Sequence, residues 1–156
     1  MEGFFGKTRR WLPWLLWTVY CLWMLWLLFG QRLGTQIYEQ QLADRVNLVP
    51  FSTVGMYFQI LTVSDDPELL RHAVINLAGN VVMFIPLGIF LPCLFKSLRG
   101  FFKTALAGLT LIFLIELLQY ITALGACDVD DLLLNMVGVL MGYPVWRLLR
   151  LKAGRQ

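Results

Sequence analysis

Charge is scarce in this chain. Asp, Glu, Lys and Arg make up 15% of its 156 residues, where a soluble domain carries about 25%. Charge is missing altogether from 11–31 and from 73–95, and such runs exclude an ordinary soluble domain. Catalytic signatures are missing as well. There is no zinc motif, no glycine-rich phosphate loop, and no nucleophile with a base at signature spacing. A site built only from carboxylates is the one catalytic arrangement left open. The single histidine, His72, reads as a surface or interfacial residue. Three cysteines, an odd number, make no disulfide framework. Cys21 and Cys93 lie in apolar runs and read as packing residues. Cys127 stands beside an acidic cluster. No internal repeat or low-complexity segment is present, and no cofactor is expected.

What the chain does have is apolar surface. Hydrophobic residues form 58% of it, and the mean hydropathy is +0.67. The expected fold is all-α: a polytopic integral membrane protein, one domain over 1–156, built as a four-helix transmembrane bundle. The first span runs from Trp11 to Gln31 and reaches the ~20 residues that cross a bilayer. It reads as an uncleaved signal anchor, with Trp11, Trp14 and Trp17 as an interfacial belt. The second span is Ala73 to Phe95, with Pro86 expected to kink it. The third is Thr104 to Ile121, interrupted by Glu116. The fourth begins at Leu132 and ends near Trp146, extended by snorkelling Arg147 and Arg150. Between the first two lies the loop from Arg32 to Arg71. Its apolar piece after Pro50, up to Val63, is too short to span and reads as interfacial or re-entrant. Pro50 predicts a bend at Val49. Asp66 and Pro67 predict a helix start, with Pro67 at its first position.

The few charges are sorted. Lys7, Arg9, Arg10, Lys96, Arg99, Lys103, Arg147, Arg150, Lys152 and Arg155, ten of the thirteen basic residues, fall on one side of a four-span chain. The positive-inside rule then puts both termini in the cytoplasm. The net charge of +3 therefore reports topology, and no nucleic-acid partner is implied.

The polar residues inside the spans carry the functional reading. Asn76 and Asn80 lie ~6 and ~12 Å into the second span. Glu116 and Gln119 lie within ~9 Å of the outer end of the third, and Asn135 lies ~6 Å into the fourth. Asp131 shares a helix face with Asn135, four residues on. Buried Asn or Asp in lipid is costly and needs partners. Six residues at one depth predict an outer-leaflet polar pocket lined by Asn76, Asn80, Glu116, Gln119, Asp131 and Asn135, and Asp128 and Asp130 join them as candidate ligand-binding residues. Asp128 and Asp130 also suit solvated loop acids or helix N-caps. The acidic cluster fits no EF-hand spacing, and its metal binding is left open. Helix-to-helix glue is the alternative for the amides. Gly79 and Gly138 are expected at helix crossings.

These motifs resemble the VanZ-like family. Asn47-Leu-Val-Pro50-Phe51 comes first, then Asn76-Leu-Ala-Gly79-Asn80 with Phe84-Ile-Pro86-Leu-Gly88. Ile115-Glu116-Leu-Leu-Gln119 follows, and Asp128-Val-Asp130-Asp131 with Asn135 and Gly138 closes the series. The resemblance runs from about 47 to 143. One departure is Gly125-Ala126 where the family shows Gly-Arg, which removes a guanidinium fork for phosphate or carboxylate. The resemblance implies a small bacterial membrane protein of the cell envelope, and a link to low-level resistance to the lipoglycopeptide teicoplanin. Three functions compete. One is a membrane factor that binds a lipid, a lipid-linked cell-wall precursor or a lipoglycopeptide in the outer leaflet. The second is an enzyme acting on a lipid-linked substrate through Glu116 and the Asp128/Asp130/Asp131 cluster. The third is a structural or partner-binding subunit.

Overall fold

The computed structural model describes residues 11–30 and 46–153. The basic segments at 1–10 and 154–156, and the stretch 31–45 that includes the first part of the 32–71 loop, lie outside them. Among the described residues the fold is helical. Its elements are α1 (Leu12–Leu28), β1 (Val46–Asn47), α2 (Ser52–Val63), α3 (Pro67–Leu94), a 3-10 turn (Lys96–Leu98), α4 (Phe101–Ile121), β2 (Cys127–Asp128) and α5 (Val129–Ala153). Three of these, α3, α4 and α5, are long and apolar enough to cross a membrane. The first of the four spans expected from the sequence, α1, is a shorter apolar helix of 17 residues.

Local chemistry accounts for the helix ends. Pro67 occupies the first turn of α3, and the Asp66 carboxylate accepts the Glu68 N–H at 2.9 Å. A proline costs nothing there, because its missing N–H would be unsatisfied in any case. The helix then runs unbroken through Pro86 and Pro92. α4 ends where Ala123 turns left-handed, at φ 55°. The Leu124 and Gly125 N–H groups then bond back to the Gln119 carbonyl, which satisfies a carbonyl that the helix leaves open.

Contacts between helix ends fix the arrangement. Trp14 of α1 packs edge-on against Phe95, just past α3. The Tyr143 hydroxyl of α5 donates to the Arg99 carbonyl, and its ring meets Phe101 of α4. The start of α1, the end of α3, the start of α4 and the last third of α5 therefore share one end of the bundle. Lys96, Arg99, Lys103, Arg147, Arg150 and Lys152 all lie at that end. The other end holds Asp65, Asp66, Glu68, Asp128, Asp130 and Asp131, with Arg71 alone among the described Lys and Arg residues.

α3 and α5 run parallel and in close contact. A Cβ added at Gly138 would lie 2.2 Å from the Val81 carbonyl oxygen. At Gly142 it would lie 2.1 Å from that of Ile85, and at Gly88 2.1 Å from that of Val139. Only glycine lets two helix backbones meet at that distance. Gly138 is at a crossing, as expected. Gly79 is not: the nearest atom to a Cβ there is a methyl of Ile75, 4.0 Å away in the same helix. α4 closes on this pair through Gly108, which faces the Val139 side chain. Phe84, Ile112 and Val139 are fully buried where the three helices meet. α1 lies on α3, with the Tyr20 hydroxyl bonded to the Met83 carbonyl at 3.0 Å.

The rest of the bundle surface is apolar and exposed, including Leu22, Trp26, Leu106, Ile121 and Leu148. Exposed apolar area on this scale suits a lipid environment. Lipid is as apolar as leucine, so van der Waals packing and interhelical hydrogen bonds hold the helices together.

Candidate functional site

The acidic end is built by a short parallel bridge that pairs Val46 with Cys127 and Asn47 with Asp128. It brings the start of the Asn47–Phe51 motif against the start of α5. Asn47 folds its own turn by accepting the Val49 N–H through Oδ1. Its Nδ2 reaches Ser52 at 2.7 Å, Thr53 at 2.9 Å and Asp128 at 3.3 Å. The chain bends at Val49, as Pro50 predicts, and Phe51 is left-handed at φ 65°. That conformation is uncommon for a bulky residue.

A carboxylate from α5 holds it. Asp130 is 0% exposed. Its Oδ1 accepts the Phe51 N–H at 2.6 Å, and its Oδ2 accepts the N–H groups of Thr53 and Val54 at 2.9 and 3.0 Å. These are the donors that open a helix and lack partners within it. α2 has no side-chain cap of its own, so Asp130 caps it from another element, and the charge also suits the helix dipole. Asp128 caps α5 itself by accepting the Asp130 N–H at 2.8 Å, and it takes the Thr53 hydroxyl at 2.6 Å. Asp128 and Asp130 thus tie α2 to α5. Among the described residues, no group of three or more His, Cys, Asp or Glu is arranged to hold a metal ion.

Deeper in the bundle, two pairs bridge helices. Asn80 of α3 donates to Asp131 of α5 at 2.5 Å. Asn135 of α5 donates to Glu116 of α4 at 3.4 Å, and both residues are buried. Asn135 Oδ1 is buried without a hydrogen bond. Three helices therefore place Asn80, Asp131, Asn135 and Glu116 next to one another. Gln119 is also buried, but it turns to α1 and donates to the Leu28 carbonyl at 3.3 Å. Asn76 bonds the His72 carbonyl of its own helix at 2.8 Å. His72 itself is exposed.

Asn47 and Thr53 join the site only through the tertiary structure. Asn47 stands in the Asn47–Phe51 motif, whereas Thr53 carries no local signal. Cys127 is half-buried. Burial first, and then the negative charges of Glu116 and Asp128, push its thiol pKa above the ordinary range.

With this geometry, the chain can be compared with known proteins. The family model described as VanZ/LLP1 matches residues 14–150, a longer stretch than the motifs alone. Protein VanZ of Enterococcus faecium is 30% identical over 103 residues, which is 66% of this chain and 53% of that protein. The chain thus spans about half the length of the curated relative it matches. No solved structure matches it.

Proposed function

Because the chain belongs to the VanZ/LLP1 family, we infer that it is an integral protein of a bacterial cell membrane that binds a lipid or lipid-linked envelope component. In this reading α1 is a fourth span, both termini are cytoplasmic, and the acidic end faces outward. The sorting of Lys and Arg to one end of the bundle supports that orientation. The bound component, or the protein's effect on it, gives low-level protection against a teicoplanin-type glycopeptide. The name of the Enterococcus relative and the motif resemblance support this last step.

One observation carries the site. Asn80, Asp131, Asn135 and Glu116 come from three helices and meet in a chain that is otherwise nearly free of charge within its spans. Ionisable residues in such a place are costly to keep and mark functional sites by default. A second reading has its own support: each of the four bonds across a helix interface, as structural glue would.

Native mass spectrometry of the detergent-extracted protein tests the first reading. A mass excess that matches an envelope lipid, and is lost in Asn80→Ala, is expected. Equal lipid occupancy in the two proteins would rule it out and leave the structural reading.

A further inference from the structure

α2 has two faces. Thr53, Val54, Tyr57 and Ile60 are half-buried and recur at the spacing of one helical stripe. Met56, Phe58, Leu61 and Val63 are exposed, so the outward side is mainly apolar, with Gln59 and Thr62 as its polar residues. This half-buried stripe of Thr53, Val54, Tyr57 and Ile60 lies against α3 and, at its first turn, the start of α5. Its first turn is held by Asp130, and the Thr53 hydroxyl bonds Asp128. Tyr57 follows Thr53 by four residues, one turn along the same face. Burial, followed by the charges of Asp131 and Asp128, raises the pKa of the Tyr57 phenol. Asp131, the residue bonded by Asn80, follows Asp128 by three positions and shares its face of α5. At its other end α2 passes through Ser64–Asp66 straight into α3. One end of α2 is thus joined to α3 by a short turn, and the other is held by the Asp130 and Asp128 carboxylates.

We propose that α2 is a strap across the Asn80–Asp131 site, with Tyr57 as a further binding residue and Asp130 as the residue that positions it. The proposal rests on the reading of that layer as a ligand site. The outward face of the strap is mainly apolar and lies against lipid. A lipid-anchored ligand whose head group bears hydrogen-bonding groups reaches Asp131 by displacing the strap, which swings on Ser64–Asp66 once Asp130 releases its three N–H groups and Asp128 releases the Thr53 hydroxyl. The Tyr57 hydroxyl then serves the head group beside Asp131.

Accessibility tests the strap independently of any ligand. In full-length protein with Cys21, Cys93 and Cys127 replaced by serine, Tyr57→Cys is labelled with N-ethylmaleimide in native membranes. Adding Asp130→Ala is expected to raise the labelling rate about tenfold or more, as a local opening would. Thr53→Val, which removes the hydroxyl's bonds to Asp128 and Asn47 but leaves the Asp130 cap, is the milder variant and raises it less. Ile112→Cys in the buried core stays protected in both backgrounds. An unchanged rate at position 57, or a parallel rise at position 112, overturns the strap. Native mass spectrometry tests the binding role. Tyr57→Phe keeps the ring and loses the hydroxyl, and is expected to carry less co-purified lipid than the parent, while Met56→Leu on the outward face carries as much. Equal occupancy in Tyr57→Phe overturns Tyr57 as a binding residue. A parent protein that carries no lipid sinks the proposed function and removes Tyr57's binding role with it, while the labelling result still decides the strap.

Discussion

Asp130 and Phe51 are 79 positions apart in the chain, and a 2.6 Å hydrogen bond from the Phe51 N–H to the Asp130 carboxylate joins them. The same carboxylate serves Thr53 and Val54, so one buried side chain satisfies the start of a helix in another part of the sequence. Asp130→Ala leaves three backbone donors without that acceptor, and a destabilisation of about 1–3 kcal/mol is expected. Thermal unfolding in detergent measures it. Asp65→Ala, in the exposed turn before α3, is the comparison and is expected to be near neutral. Equal losses would remove the special role of Asp130.

The glycines give an opposed pair. Gly142→Ala drives a methyl into the Ile85 carbonyl and should cost about 1–3 kcal/mol through forced separation of α3 and α5. Gly138→Leu should likewise cost more than Val139→Leu. Gly79→Ala meets only the Ile75 methyl, at ordinary contact distance, and should gain about 0.5–1 kcal/mol from its better helix propensity. Melting temperatures that fall in Gly142→Ala and rise in Gly79→Ala support the crossing as described.

Glu116→Gln and Asp131→Asn separate charge from shape. Both keep the size of the side chain and much of its hydrogen bonding. Normal amounts in the membrane with loss of lipoglycopeptide protection are expected, measured in a susceptible Gram-positive host that expresses each variant. Full protection by both would refute a charged site and favour glue.

Cys127 reports on topology and on its own surroundings. An impermeant maleimide added outside intact cells should reach Cys127, and should not reach an Arg99→Cys variant until the membrane is opened. The opposite pattern would invert the proposed orientation. The thiolate is the reactive form, and the thiol pKa is raised, so alkylation near neutral pH should be slower than for an unperturbed cysteine. The rate should climb as pH passes above the ordinary thiol range. Glu116→Gln removes one of the negative charges that oppose ionisation, and should speed alkylation at a fixed pH. A slower rate would contradict that electrostatic account.

Much of the architecture was legible from residue type alone. Long uncharged runs mark α3, α4 and α5 because lipid tolerates about 20 apolar residues in a row and few charges among them. The start of α3 at Pro67 and the bend at Val49 follow from proline's fixed geometry. Depth counting brought Asn80, Asp131, Glu116 and Asn135 to one level, since the rise per residue is constant along a helix.

Depth says nothing about rotation, and there the reading from sequence ran out. Asn76 and Gln119 lie near that level too, but one bonds its own helix and the other bonds α1. Gly79 was expected at a crossing because a small residue permits one, but which glycine meets a neighbour depends on the turn of each helix about its axis. Gly88 and Gly142 make the close contacts, and the spacing of Gly138 and Gly142, four apart, was the signal available for the second.

The Asn47–Phe51 motif and the Asp cluster were each visible, but nothing local said that Asp130 would cap α2. Hydrophobicity, helix starts and depth are properties of a segment and its solvent, so the sequence by itself determined them. The pairing of a buried carboxylate with the open end of a distant helix depends on how two segments dock. Only the tertiary structure, through the packing of α5 on α3 and the bridge between Asn47 and Asp128, decided that.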